Sequence, residues 1–473
     1  MKTQSSSFLL TIFFLLIIIN PAQSQDAEMW TGYWKGEIEL PANRLPFEMT
    51  MTFDENETLS GTLDIPVQNA YELELQELTV TGDSISFSID TGGAPASFSG
   101  KISENRNEIN GMFSQMGMNF SFLLEKSDKL VPNELAGLEN QDDIVIPVQD
   151  GQVGGTIAWH DGNHKKRSDL VIMISGSGQL DRDETIAGFK PFRLLTSHLT
   201  QTGYSTFRFD DRGVGTSKGE EDATLQELGT DLTTIINYWQ TQDEYAVDDI
   251  YLLGHSQGAI VAYIAAEQTK VSGIISMAGP VLTADQVINS QIRYISKSRG
   301  IPDSVLTENL EFQNRIYEAV RTGSGWEEIE DDLRDRLEKQ VESLPPQSMN
   351  SLGTPDEFVK NQITRQLGAT QTEWFQSFIT IDPTELLMQL NLPVLFVFGE
   401  KDTQVFPEEN IAEIENIRNS YPADIEIKTI PEANHLFQKA NTGSPEEYAI
   451  LERAFVDSFP NVIIEWLDNQ DNH

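Results

Sequence analysis

The chain has 473 residues, enough for more than one domain and at least one large core, and it contains no cysteine. That composition removes disulfides, thiolate metal sites, cysteine nucleophiles and a lipid-modified cysteine near the N-terminus. The 32 lysines and arginines face 74 acidic residues for a net charge of −42, a surface that repels nucleic acid and anionic membranes and favours solubility.

The first residues read as an export signal. Lys2 supplies the basic start, Phe8 to Ile19 an apolar run of 12 residues, and Ala22-Gln23-Ser24 a small-residue cleavage site before Gln25. Such a run is too short to span a bilayer comfortably, so the expectation is a cleaved signal peptide over 1–24 and a secreted or periplasmic mature chain without stable membrane insertion.

From 25 to 126 the pattern is alternating and broken by Gly, Asn and Asp turns. Phe47–Phe53, Leu73–Val80, Ser84–Ile89 and Asn119–Leu124 read as strands of a small all-β barrel or sandwich. The runs Leu59-Ser60-Gly61-Thr62-Leu63 and Phe98-Ser99-Gly100-Lys101-Ile102 resemble one strand type used twice. Trp30 and Trp34 at the start of this module are expected to pack in its core or rim. Residues 127–143 are polar and read as a linker.

From 144 to 473 strands alternate with helical stretches, the signature of an α/β fold with a doubly wound, mostly parallel sheet. Ile144–Val148 and Gly155–Trp159 form an opening hairpin. Leu170–Ile174, Ser205–Phe209, Ile250–Leu253, Gly273–Met277, Val394–Phe398 and Ile425–Thr429 are short apolar runs, as strands buried on both faces should be. Between Met277 and Val394 lies an acidic, helix-periodic insertion at about 284–385. Within it Glu327–Val341 is amphipathic and bounded by Pro345-Pro346. An insertion there forms a cap over the edge of the sheet where ligands of open α/β sheets bind.

The chemistry gathers at the ends of these strands. Gly254-His255-Ser256-Gln257-Gly258 directly follows Ile250–Leu253 and precedes the helix-forming Ala259 to Gln268. A serine on so sharp a strand-to-helix turn has its hydroxyl exposed, while flanking glycines let neighbouring backbone approach. A serine hydroxyl needs a base. Of the six histidines, His255 lies within the elbow and points away, His160, His164 and His198 precede it, and His473 ends the chain. His435 alone falls in a turn after a late strand. The acid that orients it is expected to be Asp402, in Gly399-Glu400-Lys401-Asp402 just past Val394–Phe398, with Glu400 as rival. For an oxyanion hole, the small-residue turn Ser175-Gly176-Ser177-Gly178-Gln179 follows Leu170–Ile174. The backbone N–H groups of Ser177 and Gln257 are the expected donors, with Gly178 as the one-residue alternative.

Together these segments make the core from about 144 to 470 similar to the α/β-hydrolase superfamily, and in particular to exported bacterial esterases and serine-aminopeptidase-like members. The resemblance rests on Ser175 to Asp183, on Phe209-Asp-Asp-Arg-Gly-Val-Gly-Thr-Ser217, and on Gly399 to Asp402 followed by Asn434-His435, in the order Ser…Asp…His. In the superfamily the first segment usually opens with His-Gly; here Ser175 stands in place of that His, which puts the loop's hydrogen bonding in question. The β-rich module resembles the N-terminal domain that precedes some exported hydrolases. The resemblance implies a secreted serine esterase acting on small-molecule esters through a Ser256–His435–Asp402 triad and an acyl-enzyme. It also implies that Asp210-Asp211-Arg212 brace the loops, as Arg182 should within its own acidic loop unless it reaches the substrate. The rivals are an amide or peptide hydrolase with the same triad and a non-catalytic binding protein on the same scaffold. The histidines are scattered, and neither a dinucleotide fingerprint nor a phosphate loop is present, so no cofactor and no metal is expected. Acyl and alcohol specificity and oligomeric state are not legible in one chain.

Overall fold

A computed structural model describes residues 29–470 except 41–43, 54–57, 66–67, 69, 92–94, 128–137, 139, 161–167, 243–244 and 344–353. The segment expected as a signal peptide, most of the 127–143 connector, His164, His473 and Pro345-Pro346 therefore lie outside the described residues. The chain divides into two compact units, Met1–Leu130 and Val131–His473.

The first unit is one nine-stranded sheet with every pairing antiparallel. Its strands are β1 (Gly32–Glu39), β2 (Arg44–Phe53), β3 (Leu59–Ile65), β4 (Ala70–Glu74), β5 (Gln76–Thr81), β6 (Ser84–Ile89), β7 (Ala96–Ile102), β8 (Glu108–Gln115) and β9 (Met118–Ser127). Their spatial order is β4-β3-β2-β1-β9-β8-β7-β6-β5. The segment expected as one strand, Leu73–Val80, is two, broken at Leu75. Because β4 and β5 occupy opposite edges yet are separated by that one residue, the sheet has to curl round on itself into a nearly closed barrel. Period-2 alternation sends Phe47, Met49 and Met51, and likewise Ile85, Phe87 and Ile89, to the inside. Phe98 lies among the rings of Phe47, Phe87, Phe113 and Phe122 at 4.8–5.7 Å between centroids, so the interior is filled by side chains. Trp30 and Trp34 are fully buried, and the Trp34 indole N–H donates to the Trp30 carbonyl at 3.0 Å; they are core residues.

The second unit is built on an eight-stranded sheet, β10 (Gln141–Val148), β11 (Gly151–Ala158), β12 (Ser168–Ile174), β13 (Ser205–Phe209), β14 (Val247–His255), β15 (Gly273–Met277), β16 (Val394–Gly399) and β17 (Ile425–Ile430). The order is β10-β11-β13-β12-β14-β15-β16-β17, with β10–β11 and β11–β13 antiparallel and the rest parallel. Alternate residues of each strand feed two separate cores. Leu170, Ile172 and Ile174 pack on one face, and Val171 and Met173 on the other. The helices in chain order are α1 (Pro191–Thr202), α2 (Leu225–Thr241) and α3 (Gln257–Gln268), then an insertion with six helices among the described residues, and finally α10 (Pro407–Arg418) and α11 (Ser458–Gln470). Among the described residues the insertion holds α4 (Ala284–Ser298), α5 (Asp303–Thr322), α6 (Trp326–Ser343), α7 (Pro355–Thr370), α8 (Glu373–Thr380) and α9 (Pro383–Leu387). It carries its own small core, in which Ile316, Leu333, Val359 and Ile379 take part. A capping box starts α2: Thr224 Oγ1 accepts from the Glu227 N–H, and the Glu227 carboxylate accepts from the Thr224 N–H. No helix among the described residues is long and apolar enough to cross a membrane.

The sheet of the second unit begins earlier than the sequence suggested, at Gln141 rather than Ile144. The three extra residues carry side chains that the rest of the unit uses. Gln141 Oε1 accepts from the buried Arg208 at 2.7 Å, Asp142 from the Trp159 indole at 3.2 Å, and Asp143 from Arg182 at 2.9 Å. A chain starting at Leu138 should therefore melt at a higher temperature than one starting at Ile144. The deficit of the shorter chain is expected to be about 1–3 kcal/mol, since Arg208 loses a buried partner. Equal melting temperatures would show that these contacts contribute nothing.

Candidate active site

In the second sheet the chain passes from β12 to β13 on one side and then crosses to β14 on the other. The crevice outside the C-terminal ends of β12 and β14 is thus the topological switch point, where open α/β sheets bind ligands. Ile174, the last residue of β12, pairs with Gly254. That register sets the Ser175–Gln179 turn directly beside the turn holding Ser256.

Ser256 has φ 52° and ψ −122°, a left-handed conformation that costs an L-residue strain. Its N–H donates to the Met277 carbonyl at 2.9 Å, and its carbonyl accepts from the Ala259 N–H at 3.1 Å, closing the first turn of α3. The glycines on either side have no room for a side chain. A Cβ on Gly254 would lie 2.4 Å from the Gly258 and Ala259 backbone, and one on Gly258 would lie 2.3 Å from the Ile174 carbonyl oxygen. The elbow therefore packs its own backbone against the end of β12, leaving Ser256 half-buried at the N-terminus of α3.

His435 and Asp402 meet two strands away. Asp402 follows β16, His435 follows β17, and Nδ1 of the imidazole lies 2.7 Å from Asp402 Oδ2 with both residues buried. The other carboxylate oxygen accepts the backbone N–H groups of Gln404 and Val405 at 2.8 and 2.9 Å. With Nδ1–H given to the carboxylate, a neutral ring carries its lone pair on Nε2. The His435 turn is itself held by Asn434, whose Oδ1 accepts from the Leu436 and Gln438 N–H groups. Glu400, the rival acid, instead accepts from the Glu432 N–H at 2.8 Å. His255 faces away from the elbow's open side, where its ring lies between Glu184 and the His435 carbonyl. His160 bonds the Thr200 carbonyl.

The hydrogen bonding left open by Ser175 is resolved in the loop. Ser175 Oγ donates to Asp211 Oδ1 at 2.7 Å, and the Leu180 N–H donates to Asp211 Oδ2 at 2.8 Å. Burial pushes the Asp211 carboxyl up to about 7, against those two hydrogen bonds. Gly176 gives its N–H to Glu184 at 2.8 Å. The Ser177 and Gly178 N–H groups are the next along the turn. Arg182 is a brace: its guanidinium bonds both oxygens of Asp210 at 3.0 and 2.6 Å and reaches Asp143 and Thr156. Arg212 is similarly held by Asp231, and Arg208 by Asp183.

Two groups at the site carried no sequence signal. The Trp374 indole N–H, on cap helix α8, donates to Gln257 Oε1 at 3.0 Å, so the cap touches the residue after the candidate nucleophile. The Asp222 carboxylate accepts the Glu373 and Trp374 N–H groups, and Ser377 Oγ accepts from the Leu225 N–H, which dock α8 on the loop before α2. Trp374 also stacks on Phe378 at 5.4 Å. The second group, Glu184, is fully buried beneath the Ser175–Gln179 turn.

A doubly wound sheet with a serine elbow after β14, an acid after β16 and a histidine after β17 defines an α/β hydrolase. Residues 189–439, just over half of the chain, match the family described as serine aminopeptidase, S33, and the chain belongs to that family. Over 289 residues it is 25% identical to esterase EstD of Thermotoga maritima, a match that covers 61% of this chain but only 58% of the esterase. Among solved structures, Est1E of Butyrivibrio proteoclasticus, bound to ferulic acid, is 17% identical with a TM-score of 0.40, over 70% of this chain and 100% of that one. The Pyrococcus furiosus esterase Pf2001 is 15% identical with a TM-score of 0.42, over 73% and 94%.

The raised Asp211 carboxyl has a measurable consequence. Its ordinary value is 3.8, so between about 4 and 7 the folded protein holds a proton that the unfolded chain has released. That contribution to stability is present at low pH and is lost as pH rises through 7. Asp211→Asn has no such proton to lose; its amide oxygen can accept from the Leu180 N–H and its NH2 can donate to the Ser175 hydroxyl. Denaturant melts should show the variant gaining on the wild type from pH 4 to pH 8. A pH-independent difference would mean that Asp211 ionises without penalty.

Proposed function

We propose that the protein is an exported serine hydrolase that cleaves carboxylic esters, with Ser256 as nucleophile, His435 as base and Asp402 as the acid that orients it. The observation that carries this reading is the 2.7 Å Asp402–His435 hydrogen bond, made at the same edge of the sheet as the strained Ser256 turn. His435 Nε2 takes the Ser256 proton as Oγ attacks the ester carbonyl. The tetrahedral oxyanion is held by the Gln257 and Ser177 N–H groups, each worth about 10²–10³ in rate. His435 then protonates the departing alcohol, and a water activated by the same ring releases the acid. Asp402 stabilises the imidazolium formed at both stages. Similarity to a protein named as an esterase supports ester chemistry, and the Lys2–Ser24 segment supports export.

The family description favours a second reading, an aminopeptidase. Such an enzyme must hold its substrate's α-ammonium with a carboxylate. Two acids around the elbow are already engaged, Glu184 by His255 and Gly176 and Asp222 by the cap backbone. This argues against either acid serving as the α-ammonium site of an aminopeptidase. Turnover of an aryl ester and the matched anilide separates the two, and a comparable kcat/KM on the anilide would overturn the ester reading.

A fluorophosphonate should label Ser256 in the wild-type protein. Ser256→Ala and His435→Ala should stay folded and lose about 10³-fold or more in kcat, and Asp402→Asn should be similarly impaired. Glu400→Gln should remain active. Full activity in Ser256→Ala would refute the assignment, and a larger loss in Glu400→Gln than in Asp402→Asn would reassign the acid.

A further inference from the structure

We infer that His255 and Glu184 form a buried positioning pair that sets the oxyanion turn and the His435 turn against Ser256; this rests on the proposed role of Ser256 as nucleophile. The pair lies behind the elbow and spans the three loops on which that reaction depends. His255 immediately precedes Ser256 and is 1% exposed, and Glu184 is fully buried. The imidazole Nδ1 is 2.7 Å from Glu184 Oε1, and Nε2 is 3.1 Å from the His435 carbonyl oxygen. The same Oε1 accepts the Gly176 N–H at 2.8 Å, one residue before the oxyanion donor Ser177. The His255 and His435 rings lie 4.7 Å apart between centroids. A Cβ on Gly176 would come within 3.3 Å of Ser256 Cβ and 3.4 Å of Glu184 Oε1, so the turn rests directly on the elbow and the pair.

The hydrogen-bond chemistry fixes where the protons are. A backbone carbonyl only accepts, so Nε2 of His255 carries a proton and donates to His435. Glu184 and Nδ1 then share one further proton, and the pair is neutral overall. Burial works against an imidazolium here, but the Glu184 carboxylate and its hydrogen bond outweigh it and hold the His255 pKa above its ordinary value. A histidine serving only to fill the core would need neither feature of its partner. Glu184 adopts a left-handed backbone, φ 54°, and its Oε2 is buried without a hydrogen-bond partner among the described residues. Both are tolerated by a side chain aimed at one point, the junction of Gly176 and His255. Losing the carboxylate releases the Gly176 N–H and lets the Ser177 donor drift from the developing oxyanion. Losing the imidazole frees the His435 backbone from the elbow. Neither residue touches the reacting atoms, so their effect falls on the rate of the chemical step and not on substrate affinity.

The test uses the full-length protein and two reactions at Ser256. Phosphonylation by a fluorophosphonate forms the Oγ–P bond, expels fluoride and passes the hydroxyl proton to His435. Aryl ester hydrolysis supplies kcat and KM. In Glu184→Ala and His255→Gln, both kcat and the saturating rate of phosphonylation should fall roughly 30-fold or more, as expected for a displaced oxyanion donor. KM and the half-saturating probe concentration should stay within about threefold, since the lost interactions act in the transition state. Glu184→Gln, whose amide oxygen can still accept from Gly176, should recover a substantial part of the loss; this comparison decides the matter if Glu184→Ala fails to fold. Wild-type rates in folded variants, a loss confined to KM, or a Glu184→Gln variant no better than Glu184→Ala would overturn the inference. A wild-type protein that reacts with the probe but not at Ser256 would overturn the nucleophile assignment and this inference with it, whereas labelled wild type beside unimpaired variants overturns the inference alone.

Discussion

Ser256 is held at φ 52°, a backbone conformation that costs a side-chain-bearing residue roughly 1–3 kcal/mol, and the surroundings of the elbow either impose that conformation or make use of it. Relaxing it would swing the hydroxyl away from the crevice. The imposing contacts are backbone to backbone: Ser256 N–H to the Met277 carbonyl, Gly254 against Gly258, and Gly258 against Ile174. They are possible because β12, β14 and β15 are adjacent and parallel, with Ile174 opposite Gly254 and His255 opposite Met277. The sheet order is thus the cause of the elbow's geometry.

The same order distributes the other groups. Strands β16 and β17 run two residues past the level of the elbow strand's end, and the turns that follow them bring Asp402 and His435 to 2.7 Å. The turn after β12 is tied down from below by Glu184 through Gly176 and from the side by Asp211 through Ser175 and Leu180. Fixed donors and a fixed acid need no reorganisation when charge develops, which is the main electrostatic advantage of a folded site over water. The cap is attached to the site through side chains, by Trp374 to Gln257 and by Asp222 and Ser377 between α8 and the segment at the start of α2. Differences in substrate among proteins of this architecture can therefore arise in the insertion without disturbing the sheet.

Much of this was legible in the sequence because it depends on short-range signals. Apolar runs of four or five residues mark the parallel strands, and Gly254-His255-Ser256-Gln257-Gly258 between a strand and a helix marks the elbow. The position of His435 after a late strand separates it from the other five histidines. What escaped depends on contacts between distant residues. Glu184 lies 71 positions before His255, and Trp374 lies 117 after Gln257; neither stands in a motif. The break at Leu75 left only a faint mark in the sequence, a shift of the apolar phase across Gln76-Glu77, and it is closure of the barrel that divides the segment into two strands. Gln141 to Asp143 looked like linker because their polar side chains serve Arg208, Trp159 and Arg182, which are remote in sequence.

The chemistry proposed for this edge of the sheet is acyl transfer through Ser256. Rapid acid quenching in the first turnover of an activated aryl ester tests it most directly. The aryl alcohol leaves easily, so the acyl-enzyme should accumulate before water releases it. Peptide mass spectrometry should then find the acyl group on the fragment carrying Ser256, in step with a burst of released alcohol, and should find none in His435→Ala. Turnover with no acylated peptide and no burst, or with the acyl group on another residue, would rule out Ser256 as the nucleophile.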